Sequence, residues 1–448
     1  MSLTIKNTFP LLILLLLFFQ SCKKEDNPTP NNPIGFQVPS TEDIIMYEIN
    51  IGSFSPGKNL QGITARLDHI QAMGINTIWL MPIHPIGQLN SFGSPYCIRD
   101  FRSVNPQIGE LQDLKDLIAE AHKRDIAVIL DWVANHTSWD HSWITEHPDW
   151  YTKDAAGNII SPAGTNWTDV ADLNFDNQVM RLEMISTMEY WIKEVGVDGF
   201  RCDAADLVPF DFWKQAITSL KSTVGRDIIL LAEGSRENHF GAGFQINFAW
   251  DWYNTLKTVF TANGNPEMLY ATNTSEYLLF APGKRKLRFT TNHDLSNEQT
   301  PLTIFGSYDA AIAASVATIF MRGTPLIYSG QEVGVGSPSI YLTGQTIDWN
   351  ANPGMLASYT SLLQFYKSSD VAKKGTVSYH NDPNFIVFEK NLGADKILVI
   401  VNHQSIDKTW LVPSQLKGNW EDALNKHAFT LPENLQLGPY EYLILKNP

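Results

Sequence analysis

From Asp43 onward the chain alternates short apolar runs with longer segments whose apolar positions recur every three or four residues. Ile44–Ile51, Asn76–Met81, Ile126–Asp131, Gly199–Asp203, Asp227–Glu233, Phe244–Phe248, Leu287–Asn292 and Pro325–Tyr328 read as strands. Leu60–Met73, Glu110–Lys123, Asn177–Glu194, Phe210–Ser222, Trp252–Thr261, Ala310–Phe320 and Ser358–Tyr366 read as helices. The strands are apolar almost throughout, so both of their faces are expected to be covered, as in a parallel sheet. Eight such units over about 325 residues predict an α/β fold closed into a (β/α)8 barrel rather than an open sheet. No Gly-x-Gly-x-x-Gly turn follows the first strand, which removes the main support for a dinucleotide site.

Two stretches break the rhythm. Residues 132–176 are too long for a plain connection and predict a small domain inserted after the third strand. The barrel then comprises 41–131 and 177–370. Within 371–448, Thr376–Tyr379, Phe385–Lys390, Lys396–Asn402, Lys408–Leu411 and Tyr440–Leu445 are short strand-like runs divided by Gly, Asn, Asp and Pro. They predict a C-terminal antiparallel β-sandwich.

The N-terminal segment has a different character. Residues 1–21 carry one basic side chain, Lys6, and an apolar run from Leu11 to Phe19. As a helix that run would reach about 14 Å, short of the roughly 30 Å hydrocarbon layer, so it reads as a signal peptide. Its end, Phe-Phe-Gln-Ser-Cys, resembles a bacterial lipobox with Cys22 as the acylated residue. Residues 22–40, polar and proline-rich, read as a tether. The expectation is a lipoprotein of the outer membrane, facing the periplasm or the cell surface and touching the membrane only through lipid on Cys22.

Composition narrows the partners. The 448 residues are 44% hydrophobic, enough to exclude disorder. Lys plus Arg number 33 against 47 Asp plus Glu, a formal net charge of −14, so nucleic acid is not an expected partner. Three cysteines cannot form a disulfide framework.

In a barrel of this kind the active site gathers at the carboxyl ends of the strands. Those ends read Asp131-Trp-Val-Ala-Asn135-His136, then Arg201-Cys-Asp203, then Ala232-Glu233, then Asn292-His293-Asp294. A single strand-end carboxylate often caps a helix. Several at four ends of one barrel, with histidines and an arginine beside them, point instead to a catalytic mouth. Alternation puts Arg201 and Asp203 on one face and Cys202 on the other, as a small apolar residue against the helices. Cys97, in the loop after the second strand, is expected as an unpaired thiol.

These four segments resemble the signature regions of the alpha-amylase superfamily, glycoside hydrolase family 13. Gly74–Pro82, Ala171–Asn174 and Gly323–Glu332 are similar to its supporting stretches. The resemblance implies Asp203 as nucleophile, Glu233 as general acid/base and Asp294 as the carboxylate that distorts the bound sugar. It also implies His136 and His293 as donors to sugar hydroxyls, Tyr96 as the ring stacked on the sugar, Arg201 as the partner of Asp203 and Asp131 as its brace. The implied partner is an α-glucan, the implied reaction retaining hydrolysis of α-1,4 bonds of starch-like glucans by a monomer. A maltogenic or neopullulanase-type hydrolase and a glucan transglycosylase are the alternatives, with a non-catalytic glycan-binding lipoprotein more distant.

The chain departs from the family pattern next to the nucleophile. Asn135 and Asp172 stand where a structural calcium would find two ligands, but Leu207 replaces a histidine and Asp206 the basic residue before it. A hydrocarbon side chain offers nothing to a hard cation. No metal or cofactor is expected in the chemistry, and Asp206 alters the contacts to the leaving part of the glucan.

Overall fold

The structure is a computed structural model that describes residues 35–278, 282–337 and 344–448. The signal peptide, Cys22 and most of the tether lie outside the described residues. Phe36, inside the span read as tether, is buried and stacks on His122 with ring centroids 3.9 Å apart. Among the described residues no helix is long and apolar enough to cross a membrane.

Eight parallel strands close into a barrel: β1 (Met46–Ile49), β2 (Thr77–Leu80), β3 (Ala127–Trp132), β4 (Gly199–Cys202), β5 (Ile229–Ala232), β6 (Ile246–Phe248), β7 (Arg285–Arg288) and β8 (Thr324–Tyr328). Each pairs with the next, and β8 closes on β1 through Met46 opposite Leu326. Every residue of these strands is buried, as the lack of polar alternation predicts for a sheet covered by helices. The strand expected at Leu287–Asn292 runs instead over Arg285–Arg288. Three buried cations masked it. Arg288 is matched there by Glu276 at 2.5 Å and Arg285 by Glu42 at 2.9 Å, so tertiary pairing allows what composition argues against.

The helices show similar adjustments. Leu60–Met73 is not one helix but two, Leu60–Thr64 and Leu67–Ala72. Arg66 leaves the helical range (φ −110°, ψ 8°) and its guanidinium lies 4.1 Å over the Trp349 ring. Gln178–Tyr190 ends in a widened turn, Trp191–Val195, closed by Gly196 at φ 94°.

Between β3 and β4 the chain forms a two-stranded antiparallel sheet, His136–Ser138 with Val170–Asp172. At the C-terminal end a six-stranded antiparallel sheet is covered by the pair Lys408–Leu411 and Asn434–Leu437. Phe385, Leu398, Trp410, Trp420 and Leu435 belong to the core between the two layers. This β-sandwich meets the barrel at Tyr270, whose hydroxyl donates to the Val387 carbonyl at 3.1 Å and accepts from its N–H at 2.7 Å. The strands Gly418–Asp422, Ala428–Leu431 and Asn434–Leu437 lie in sequence without a marked apolar run, because few of their side chains face the core.

Gly199, which opens β4, is placed by contact rather than by turn geometry. Its φ is +147°, and a Cβ there would lie 1.9 Å from the Ile229 carbonyl oxygen of β5. Gly199→Ala is expected to cost about 3 kcal/mol or more, because only backbone movement relieves the clash. Denaturant unfolding checks it; a loss below 1 kcal/mol would mean that β4 and β5 separate easily.

Candidate active site

Register builds the site. Asp131 on β3 lies directly opposite Arg201 on β4, so both side chains leave the ladder on the same side. Arg201 is fully buried, and its Nη1 donates to Asp131 Oδ1 and to Asp203 Oδ1, each at 2.7 Å. Its Nη2 lies 2.7 Å from Glu233 Oε1, an ion-pair contact outside hydrogen-bond alignment. One planar cation therefore touches three carboxylates from three consecutive strand ends.

Ala204 completes the arrangement. It has φ 43°, a left-handed conformation uncommon for a residue with a Cβ, and its N–H donates to Glu233 Oε2 at 2.6 Å.

A cavity of about 380 Å³ opens above these groups and is lined by Asp203, Glu233, Asp294, Tyr96, His136 and His293, with Phe92, Trp167 and Asp169 among its other walls. Asp203 is 8% exposed, the Glu233 side chain 19% and the Asp294 side chain 49%, so the first two sit deep and the third faces the open side. Tyr96 donates its hydroxyl to Asp131 Oδ2 at 3.0 Å and lies 2.8 Å from His293 Nε2. The His136 Nε2 is 3.2 Å from the Tyr96 carbonyl oxygen. Six of the seven residues singled out in the sequence thus line one mouth, with the fully buried Arg201 and Asp131 beneath them rather than on its wall.

Burial and like charge shape their protonation. Burial pushes Glu233 up to about 7, with Arg201 opposing and Asp203 and Asp294 adding to the rise. Burial likewise pushes Asp203 up to about 6, against the pull of Arg201. His136, buried with no carboxylate partner, falls to about 4 and is neutral. For His293 burial works downward, yet Asp294 and Glu48 outweigh it and hold the imidazole at about 9.

Glu48 is the residue that sequence reading missed. It stands on β1, fully buried, with Oε1 2.5 Å from His293 Nδ1. A lone charge inside the apolar run Ile44–Ile51 was the available signal. Trp79 was missed too; its indole N–H donates to Asp131 Oδ2 at 3.1 Å, and its ring lies 4.9 Å from the Arg201 guanidinium. Glu48→Gln is expected to lower the His293 pKa from about 9. It removes a charged hydrogen bond of about 1.5–3 kcal/mol, roughly 10- to 100-fold in kcat/KM. An NMR titration of the imidazole checks the shift, and an unmoved His293 would contradict it.

Two of the cysteines lie among the described residues, both free and buried. Cys202 is buried on the far face of β4. Cys97 is free and buried, its thiol donating to the Asp169 carbonyl at 3.3 Å, and burial pushes it up to about 11. Around the positions expected for calcium, the side chains offer few free oxygens. Asn135 and Asp172 are present, but Leu207 is a half-exposed hydrocarbon, and Asp206 is taken by Arg236 at 3.0 Å and by the Ser235 N–H at 3.1 Å. No step below passes through a metal.

A barrel whose mouth gathers three carboxylates, two histidines and a tyrosine around a sugar-sized cavity defines a glycoside hydrolase. The family model of the alpha amylase catalytic domain matches residues 33–162 and 165–384, and the chain belongs to that family. Alpha-amylase 3 of Dictyoglomus thermophilum is 26% identical over 494 residues, covering 92% of this chain and 95% of that relative. Among solved structures, an alpha-amylase from Lactobacillus plantarum superposes with a TM-score of 0.82 at 25% identity, covering 91% of this chain and 99% of the other. A noncanonic maltogenic alpha-amylase from Thermotoga neapolitana reaches 0.81 at 26% identity over the same shares.

Proposed function

We propose that the protein hydrolyses α-1,4-glucosidic bonds of starch-like glucans with retention of anomeric configuration. The observation that supports it most is the single Arg201 guanidinium in contact with both Asp203 and Glu233, each at 2.7 Å. That bridge gathers both carboxyl groups at one guanidinium, as a nucleophile and an acid acting on the same sugar require. In this reading Asp203, kept anionic by Arg201, attacks the anomeric carbon and forms a glycosyl ester. Glu233 protonates the departing oxygen, then takes a proton from the water that hydrolyses the ester. Asp294, His293 and His136 bind sugar hydroxyls, and Tyr96 packs against the ring.

The rim favours a second reading of chain-length preference. Asp206 is locked to Arg236, and Leu207, four residues after Asp203, is a half-exposed hydrocarbon. Such a rim holds a long leaving chain weakly, which suits maltogenic action or transfer to another sugar. Product analysis on amylose, pullulan and maltotriose with anomer detection tests both points. Products released as α-anomers are expected, with maltose alone marking the maltogenic variant. Exclusive β-anomers would overturn retention.

A further inference from the structure

A second cavity lies at the opposite end of the barrel from the catalytic mouth. It has a volume of about 510 Å³ and is lined by Arg285, Arg322, Lys374, Glu42, Tyr277 and Thr376, among others. Arg285 opens β7, Arg322 stands just before β8 and Glu42 precedes β1, so these walls belong to the amino ends of the strands. The edge strand Thr376–Tyr379 of the C-terminal sheet closes the side.

The charge around this cavity does not balance. Arg285 pairs with Glu42 at 2.9 Å, and Lys374 with Asp43 at 3.2 Å and Asp370 at 3.3 Å. Among the described residues neither Arg322 nor Lys390 has a carboxylate within ion-pair distance. The Arg322 guanidinium lies 3.8 Å over the Tyr277 ring. Lys390, fully buried and opposite Val377 of the cavity wall, donates only to the Ala372 carbonyl. Burial depresses Lys390, and Arg285 and Arg322 depress it further. Burial also lowers Arg322, with Arg285 and Arg288 adding to it and Tyr277 and Glu42 opposing. Arg322, set beside Arg285 and Lys374 in a half-closed cleft of a chain of net charge −14, leaves a local positive charge suited to an anion.

We propose that this cavity binds a phosphate-class oxyanion, with Arg322 as its principal ligand and Arg285 and Lys374 beside it. Arginine presents paired N–H donors that match a phosphate face, and two arginines with a lysine suit a dianion better than a single carboxylate. Thr274 and Thr376 on the walls can bind the neutral part of a phosphate monoester. The phosphate can be free in solution or belong to a lipid headgroup. The site is independent of the glycosidase reading, because none of its residues touches the catalytic mouth.

Thermal unfolding of the purified chain with inorganic phosphate, glucose 6-phosphate or chloride at matched ionic strength tests this. A saturable rise in Tm is expected with the two phosphates and not with chloride. Arg322→Gln is expected to abolish the phosphate-dependent rise while keeping amylose hydrolysis within about twofold. Its Tm without phosphate can move in either direction by relief of repulsion, so the phosphate increment is the readout. Sedimentation with phosphatidylcholine vesicles, with and without phosphatidic acid, separates the sources. Arg322-dependent binding to the acidic vesicles marks a headgroup, and a phosphate effect without it marks a soluble oxyanion. No rise with inorganic phosphate, or an equal rise in Arg322→Gln, would overturn the proposal.

Discussion

Asp203→Asn is expected to lower kcat on amylose by on the order of 10⁴-fold or more, because no other group can form the glycosyl ester. The side chain is nearly isosteric, so the fold should survive. Arg201 loses one of its charged partners but keeps Asp131 at 2.7 Å. An unchanged unfolding curve together with abolished turnover is the expected pair of results. A substrate with a better leaving group, such as an α-maltosyl fluoride, should not restore this variant, since the missing group is the attacking one. Turnover within tenfold of the parent would remove Asp203 from the nucleophile's role.

Glu233→Gln is the second large effect, and its pattern differs. Loss of the general acid is expected to reduce kcat on amylose by about 10²–10⁴-fold. The fluoride needs no protonation to leave, so formation of the glycosyl ester from it should stay close to the parent rate and hydrolysis of that ester should become limiting. The pH profile follows from the same groups. Asp203, raised to about 6, loses its nucleophilic charge as pH falls through that value, and Glu233, raised to about 7, loses its proton as pH rises through that one. A narrow bell of kcat/KM is therefore expected, with apparent limits belonging to the coupled cluster of Asp131, Asp203 and Glu233 rather than to single residues. Glu233→Gln should lose the alkaline limb. A profile for that variant that still falls above neutrality would move the assignment to another acid.

Much of this was legible in the chain because a barrel announces itself through repetition. Continuous apolar runs marked seven of the eight strands within a few residues, and the chemistry sits at their ends, where polar residues follow apolar ones. β7 was read two residues late because Arg285, Lys286 and Arg288 are buried by partners far away in sequence, Glu42 and Glu276 among them. The same reason hid Glu48. A buried carboxylate is meaningful only once its partner is known, and His293 lies 245 residues away. The break near Arg66 depends on Trp349, again distant. Ala204 is subtler still, since no residue type signals that a backbone N–H will turn toward Glu233.

The site divides its labour by depth. Arg201, Asp131 and Glu48 form a charged floor that substrate does not reach, fixing the protonation and direction of the groups above it. Phe92, 68% exposed, and the partly buried Trp167 stand at the lip, where a glucan would enter. Separation of floor from lip lets loops alter chain-length preference while the chemistry stays the same.

Mass spectrometry of the enzyme stalled with a 5-fluoro-α-glucosyl fluoride examines the core of the account in one step. One added glucosyl unit, carried by the peptide that contains Asp203 and absent when the chain is the Asp203→Asn variant, is the outcome expected. An adduct on Glu233 or Asp294, or turnover through a species that never labels the protein, would mean that these carboxylates surround the sugar in a different order from the one described.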